Sequence, residues 1–245
     1  MWTRIAWSDV KGRYRRTVLG PFWASLSLGV VIFAMSVVMS RLFNADLKQF
    51  LPYLTAGMVT WALISGLISD GTSVFISAEG LIKSLRFPLT TLICTLVCRN
   101  IIIFGHNIVI YILVMVYMGI PVNLSSLLLF PALLLVALNA MWVAIVLGIF
   151  GARFRDVPPV VTSVLQIVVF VTPIFWNAEQ IKGKTGVALT DFNVFYHFVQ
   201  IVRSPLLGQS PSATSWLVAL GVGLLGWLVM LAMFSRFRHR IAYWL

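Results

Sequence analysis

The chain predicts an all-α membrane protein of six transmembrane helices, and three observations lead there. Hydrophobic residues make up 60% of its 245 positions and charged residues only 10%, whereas soluble domains carry about a quarter charged residues. The apolar residues gather into runs of about twenty, the length that crosses roughly 30 Å of hydrocarbon. The Lys and Arg residues concentrate in short segments between those runs, alternately rich and poor, as positive-inside topology requires. One transmembrane domain over residues 1–245 is expected, with no separate soluble domain.

Residues 1–20 are expected to form an amphipathic interface helix. Trp2, Ala6, Val10 and Tyr14 fall on one side, and Arg4, Lys11 and Arg15 on the other. The apolar stretch that follows is too long for a cleavable signal and has no small-x-small site after it. Pro21 suits a first helical turn, where its missing N–H would have had no partner.

The first span is expected over 22–42, and the turn Asn44–Lys48 leads to the second over 51–73. Residues 77–88 form a charged connection, stopped by Pro88, and the third span covers 92–118. A nearly uncharged turn at 119–126 precedes the fourth span at 127–150, and the charged turn Gly151–Pro159 precedes the fifth at 160–175. Residues 176–215 form an extracytoplasmic region whose apolar run Phe192–Val202 is too short to cross and suits a re-entrant or interfacial helix. The sixth span covers 216–234, and the basic tail covers 235–245.

Counting charges sets the orientation. Arg4, Lys11, Arg13, Arg15, Arg16, Lys83, Arg86, Arg153, Arg155, Arg236, Arg238 and Arg240 fall inside, against Lys48, Lys182, Lys184 and Arg203 outside. That asymmetry puts both termini in the cytoplasm and makes the number of spans even. The net charge of +11 is therefore a topology signal, and nucleic-acid binding is not expected.

Several chemical motifs are weak in context. Gly221-Val-Gly-Leu-Leu-Gly226 matches a dinucleotide pattern, but it lies inside the sixth span with no strand before it, so close helix packing explains it. Gly183-Lys-Thr185 resembles the end of a phosphate loop but lacks the leading glycine, since Ala178 stands there. No ATP motif remains, so an ATP-driven activity needs a partner to hold the nucleotide. Cys94 and Cys98, one helical turn apart, read as packing residues without metal or redox partners; no metal or cofactor is expected.

Ser73 and His106 are the best nucleophile–base pair on offer for an intramembrane enzyme. Their depths differ by roughly 20 Å at 1.5 Å per residue, beyond hydrogen-bond reach. Asp70, Arg99 and His106 are ionisable groups within or at the ends of spans, which marks them either as structural pairs or as parts of a transport path. A proton-coupled carrier would need more carboxylates, and no internal repeat is visible.

Two constellations point to transport. Phe33, Trp61, Phe104 and Phe170 lie near mid-span, where aromatic faces can guide the apolar C–H faces of sugar rings along a conduit. The connection Glu79–Pro88 mixes apolar Leu81, Ile82, Leu85 and Phe87 with charged Glu79, Lys83 and Arg86, the composition of a docking helix.

Six runs carry a family resemblance: Arg13-Tyr-Arg-Arg-Thr-Val-Leu-Gly-Pro-Phe-Trp23, Leu81-Ile-Lys-Ser-Leu-Arg-Phe-Pro88, Ala152-Arg-Phe-Arg-Asp156, Thr172-Pro-Ile-Phe175, Tyr196-His-Phe-Val-Gln-Ile-Val-Arg-Ser-Pro-Leu-Leu-Gly208 and Arg240-Ile-Ala-Tyr-Trp-Leu245. Through them the chain resembles the transmembrane subunits of ATP-binding-cassette polysaccharide exporters, the O-antigen export permeases. It departs from them at Asn193-Val194, where the family usually has Asn-Pro.

The resemblance implies a homodimer of six-span subunits in the bacterial inner membrane, joined to two cytoplasmic ATPase subunits. It implies a cargo of polysaccharide on an undecaprenyl diphosphate lipid. Glu79, Leu81, Lys83, Arg86 and Phe87 would then belong to the ATPase-coupling helix, and 176–215 to periplasmic gate helices. Arg13, Arg15 and Arg16 would bind either the lipid diphosphate or anionic membrane lipid. The competing expectation within transport is a small-lipid or drug exporter permease of the same superfamily.

Overall fold

The computed structural model describes residues 2–13, 22–42, 46–84, 87–120, 123–176 and 190–245. The described residues form helices and turns, with no strand among them. In chain order the helices are α1 (Trp2–Arg13), α2 (Phe22–Leu42), α3 (Leu47–Thr72), α4 (Glu79–Ser84), α5 (Leu89–Met118), α6 (Leu129–Arg153), α7 (Val157–Val171), α8 (Val194–Leu206), α9 (Ala213–Phe237) and α10 (Ile241–Trp244). Short 3₁₀ turns at Ile76–Ala78 and Leu124–Leu128 lead into α4 and α6.

Local chemistry sets the helix ends. Asp46 caps α3 by accepting from the Lys48 amide at 3.0 Å, and Ser212 caps α9 by accepting from the Ser215 amide at 3.2 Å. Gly119, at φ 67°, ends α5 in the left-handed conformation that favours glycine. Asn193 caps α8 by accepting from the Tyr196 amide at 3.2 Å. With that cap in place, Val194 serves where a proline would only have spared an orphan N–H.

α3 is the hub. In its apolar stretch 72% of residues are buried, against 17–39% for the other long apolar helices, and it packs on α2, α5, α6, α7 and α8. Its buried Thr55 and Thr60 hydroxyls donate to carbonyls one turn back, each at 2.7 Å, so neither is left unsatisfied. Glycines let neighbours close on the hub and on each other. A Cβ at Gly71 would lie 2.9 Å from the Ala144 Cα, and one at Gly151 would strike the Thr72 carbonyl. Between α6 and α9, Gly226 lies against the Trp142 ring and Gly223 against Asn139, while Gly221 faces open space. Close packing therefore accounts for two of the three glycines in the dinucleotide-like run.

Among the described residues, five helical stretches are long and apolar enough to cross a membrane: Phe22–Leu42, Leu47–Thr72, Leu89–Met118, Leu124–Arg153 and Ala213–Phe237. The chain is a multi-pass membrane protein. The segment expected as the fifth span is a shorter apolar helix of 15 residues, about 22 Å at 1.5 Å per residue. It starts at Val157, with Pro158 and Pro159 in its first turn, and Pro173 holds Thr172 in an extended conformation, at φ −80° and ψ 133°.

The interface helix also differs from its expected form. α1 packs along α5 with Ala6 fully buried, but Trp2, placed on the same face by sequence, is 47% exposed. The face turned to the protein runs through Ile5, Ala6 and Asp9, because α1 packs against α5. Residues 14–20 of that expected helix lie outside the described residues. α8, in turn, is short and well buried against α3, α6 and α9.

Candidate functional site

At one end of the bundle, α4 joins the hub helix α3 to α5. Six residues give it little stability of its own, and ion pairs hold it. Lys83 Nζ lies 2.7 Å from Glu79 Oε1, one turn away, and Arg155 Nη2 lies 3.4 Å from Glu79 Oε2. The hydrogen-bonded Lys83 ammonium, aided by Arg155, holds the Glu79 carboxyl below its ordinary value. Leu81 and Phe87 are half-buried and Lys83 is exposed. Arg86 lies outside the described residues. The sequence counted Arg155 only as a topology charge; here it reaches from the α6–α7 turn to α4, and it also donates to the Leu245 carbonyl at 3.3 Å.

An ionic cluster lies near the same end of α3. Arg99 Nη2 is 2.8 Å from Asp70 Oδ2, and its Nη1 is 3.6 Å from Asp9 Oδ2 on α1. Asn100 donates to the same Asp70 oxygen at 3.0 Å. Asp70 and Arg99 thus tie α1, α3 and α5 together. His106 bonds the Ile102 carbonyl at 2.8 Å, and the Ser73 hydroxyl donates to the Asp70 carbonyl at 3.3 Å. The nucleophile–base pair is not assembled. Arg13 ends α1; its side chain, Arg15 and Arg16 lie outside the described residues.

At the opposite end of the hub, sequence reasoning missed a clasp. Arg203 on α8 is 2% exposed. Its Nη1 donates to the Pro173 carbonyl at 2.7 Å, and its Nη2 to Gln200 Oε1 at 2.7 Å. Its guanidinium lies 4.1 Å from the Tyr53 ring centroid, and the Tyr53 hydroxyl reaches the same Pro173 carbonyl at 3.2 Å. The available signal was an arginine inside the apolar run of α8, since buried charge is costly unless it serves something.

The four aromatics do not share a surface within one subunit. Trp61 and Phe104 are buried at 8% and 4% exposure, whereas Phe33 and Phe170 face outward at 65% and 63%. Trp61 packs edge-on to Phe195, with centroids 5.8 Å apart. Beside them a cavity of about 250 Å³ lies between α3, α6, α8 and α9, lined by apolar side chains with Asn139 as its polar group.

The profile of the ABC-2 type transporters matches residues 2–207. The chain belongs to the ABC-2 type transporter family. A relative of this ABC-2 permease is the O-antigen export system permease protein RfbA of Myxococcus xanthus, 22% identical over 185 residues, covering 74% of this chain and 70% of RfbA. The matched region takes in the α4 brace, the ionic cluster and the α8 clasp. As an ABC-2 permease the chain is a transport subunit, and no nucleotide motif is expected in it.

Proposed function

We propose that this ABC-2 permease is the membrane subunit of an ATP-driven exporter for polysaccharide carried on undecaprenyl diphosphate. Two copies would pair in the bacterial inner membrane with two cytoplasmic ATP-binding subunits. The observation that carries the energy-coupling part is the α4 brace: a short exposed helix between two spans, fixed by Glu79–Lys83 and Arg155, where a push from outside would reach the hub directly. RfbA's role in O-antigen export supports the substrate. α7, together with the turn after it, would make the fifth of six crossings, leaving α4 and both termini in the cytoplasm.

Glu79, Leu81, Lys83, Arg86 and Phe87 would form the coupling contact. Arg13, Arg15 and Arg16 would meet the lipid diphosphate or anionic headgroups. The outward Phe33 and Phe170 are the aromatics that a sugar chain between two copies could touch, and Trp61 and Phe104 would shape the wall behind them. A small apolar cargo is the second reading, favoured by the apolar cavity beside Phe195.

The test is export from vesicles containing the permease with its ATP-binding subunit. ATP-dependent movement of lipid-linked polysaccharide is expected. Movement of a small lipid or drug in its place would establish the second reading.

A further inference from the structure

A groove of about 450 Å³ opens at the α4 end, between the α4 connection and the segment after α9. Ile82, Phe87 and Ile241 line its apolar part, and Lys83, Arg238 and His239 its polar part. Both walls are fixed. Ile241 is fully buried. The Arg153 guanidinium lies 5.2 Å from both the Phe154 and the Trp244 ring centroids, and Trp244 packs 5.7 Å from Phe237. Arg155 then ties the walls to each other, bonding Glu79 on one side and the Leu245 carbonyl on the other.

The groove carries surplus positive charge. Lys83 is paired with Glu79, whereas the Arg238 side chain, among the described residues, donates to His239 Nε2 at 3.0 Å. Among the described residues, no carboxylate lies within 4 Å of Arg238 or His239. An apolar floor under a basic rim complements an acidic segment tipped with a large apolar side chain. Leu89, the first residue of α5, also lines the groove, and the other lining residues lie beyond the ends of α3, α5 and α9, outside the long apolar stretches, which favours a protein occupant over a lipid.

We propose that the α4 connection and residues 238–245 form one docking seat for an acidic, apolar-tipped segment of the ATP-binding subunit. The proposal rests on the ATP-driven reading above and adds the segment after the last long helix as a wall of the contact. Arg155 and Trp244 are then positioning residues that keep the two walls in register.

The experiment uses the full permease co-expressed with its ATP-binding subunit, with p-benzoylphenylalanine placed at Ser84 or at Ala242, one on each wall. Both positions are expected to crosslink to the ATP-binding subunit. R238E/H239E is expected to weaken its binding about tenfold, and lysine in place of an acidic residue at the crosslinked segment should restore it. R238Q/H239Q, with a smaller loss, keeps the measurement open if the reversal disturbs folding.

Crosslinking from Ser84 alone, with R238E/H239E binding unchanged, would overturn the seat while leaving α4 docking intact. Crosslinking from Ala242 to phospholipid would overturn it in favour of a lipid site. Failure of the unsubstituted permease to co-purify with the ATP-binding subunit would sink the ATP-driven reading itself, and with it the seat.

Discussion

Arg203 retains a charge at 2% exposure because three kinds of partner replace its water: a backbone carbonyl, a side-chain amide and an aromatic face. Removing one should show what each contributes. Tyr53→Leu takes away the ring and a hydroxyl, and is expected to cost about 2 kcal/mol at a desolvated site. Thermal unfolding in detergent measures the loss, and unchanged stability would mean that the hydrogen bonds alone hold the guanidinium. The aromatics allow a sharper separation. Alanine at buried Trp61 or Phe104 should cost about 3–5 kcal/mol, so lost export there would report folding. Alanine at exposed Phe33 or Phe170 should leave stability unchanged. Reduced export with intact stability at those two would mark a conduit, whereas normal export would place them against lipid.

At the scale of helices, small residues decide how closely the hub is approached. Gly151→Ala drives a methyl group into the Thr72 carbonyl, and forced overpacking of this kind typically costs 1–3 kcal/mol. Gly221→Ala adds the same methyl group in open space and should be neutral or slightly stabilising through helix propensity. Equal melting temperatures for the two variants would contradict the α3–α6 contact. Sequence alone made such helices legible because their apolar runs are long and are separated by polar or charged turns; the caps at Asp46, Asn193, Ser212 and Gly119 emerge from the structure. It did not make partners legible. That Asp70 meets Arg99, or that Arg155 reaches Glu79, depends on which helices lie side by side, and a period-3.6 pattern carries no such information. The same limit explains α1: its two faces were visible, but the neighbour that buries Ala6 and leaves Trp2 outside was not. α7 fell short of a span because hydropathy counts apolar residues through Pro173, where the backbone leaves the helix. The brace residues Glu79 and Lys83 were visible as charges in a connection that also carries apolar anchors, whereas Arg203 was hidden by being counted as an outside topology charge.

For the molecule as a whole, the coupling role proposed for α4 requires a path for the force, and the Glu79 carboxylate would be the joint. It holds Lys83 within α4 and Arg155 from the α6–α7 turn, so its ionisation links the α3–α5 connection to the next helix pair. Its folded pKa lies below the ordinary value of 4.5. A depressed carboxylate contributes fully above the ordinary value and loses its contribution as pH falls through the folded one. The brace is therefore expected to be intact from pH 5 to 8, and transport per ATP hydrolysed should not vary across that range on its account. Lys83 is the main cause of the depression. Lys83→Gln should let the Glu79 carboxyl rise toward 4.5, and the acid loss of the permease–ATPase complex should begin at a higher pH than in the unsubstituted protein. Salt should weaken the joint in both, since the three side chains are 37–51% exposed and exposed pairs are screened. Co-purification of the ATP-binding subunit across pH and salt measures this. If Lys83→Gln leaves the acid limb where it was, Glu79 is not the group that joins α4 to the rest of the bundle.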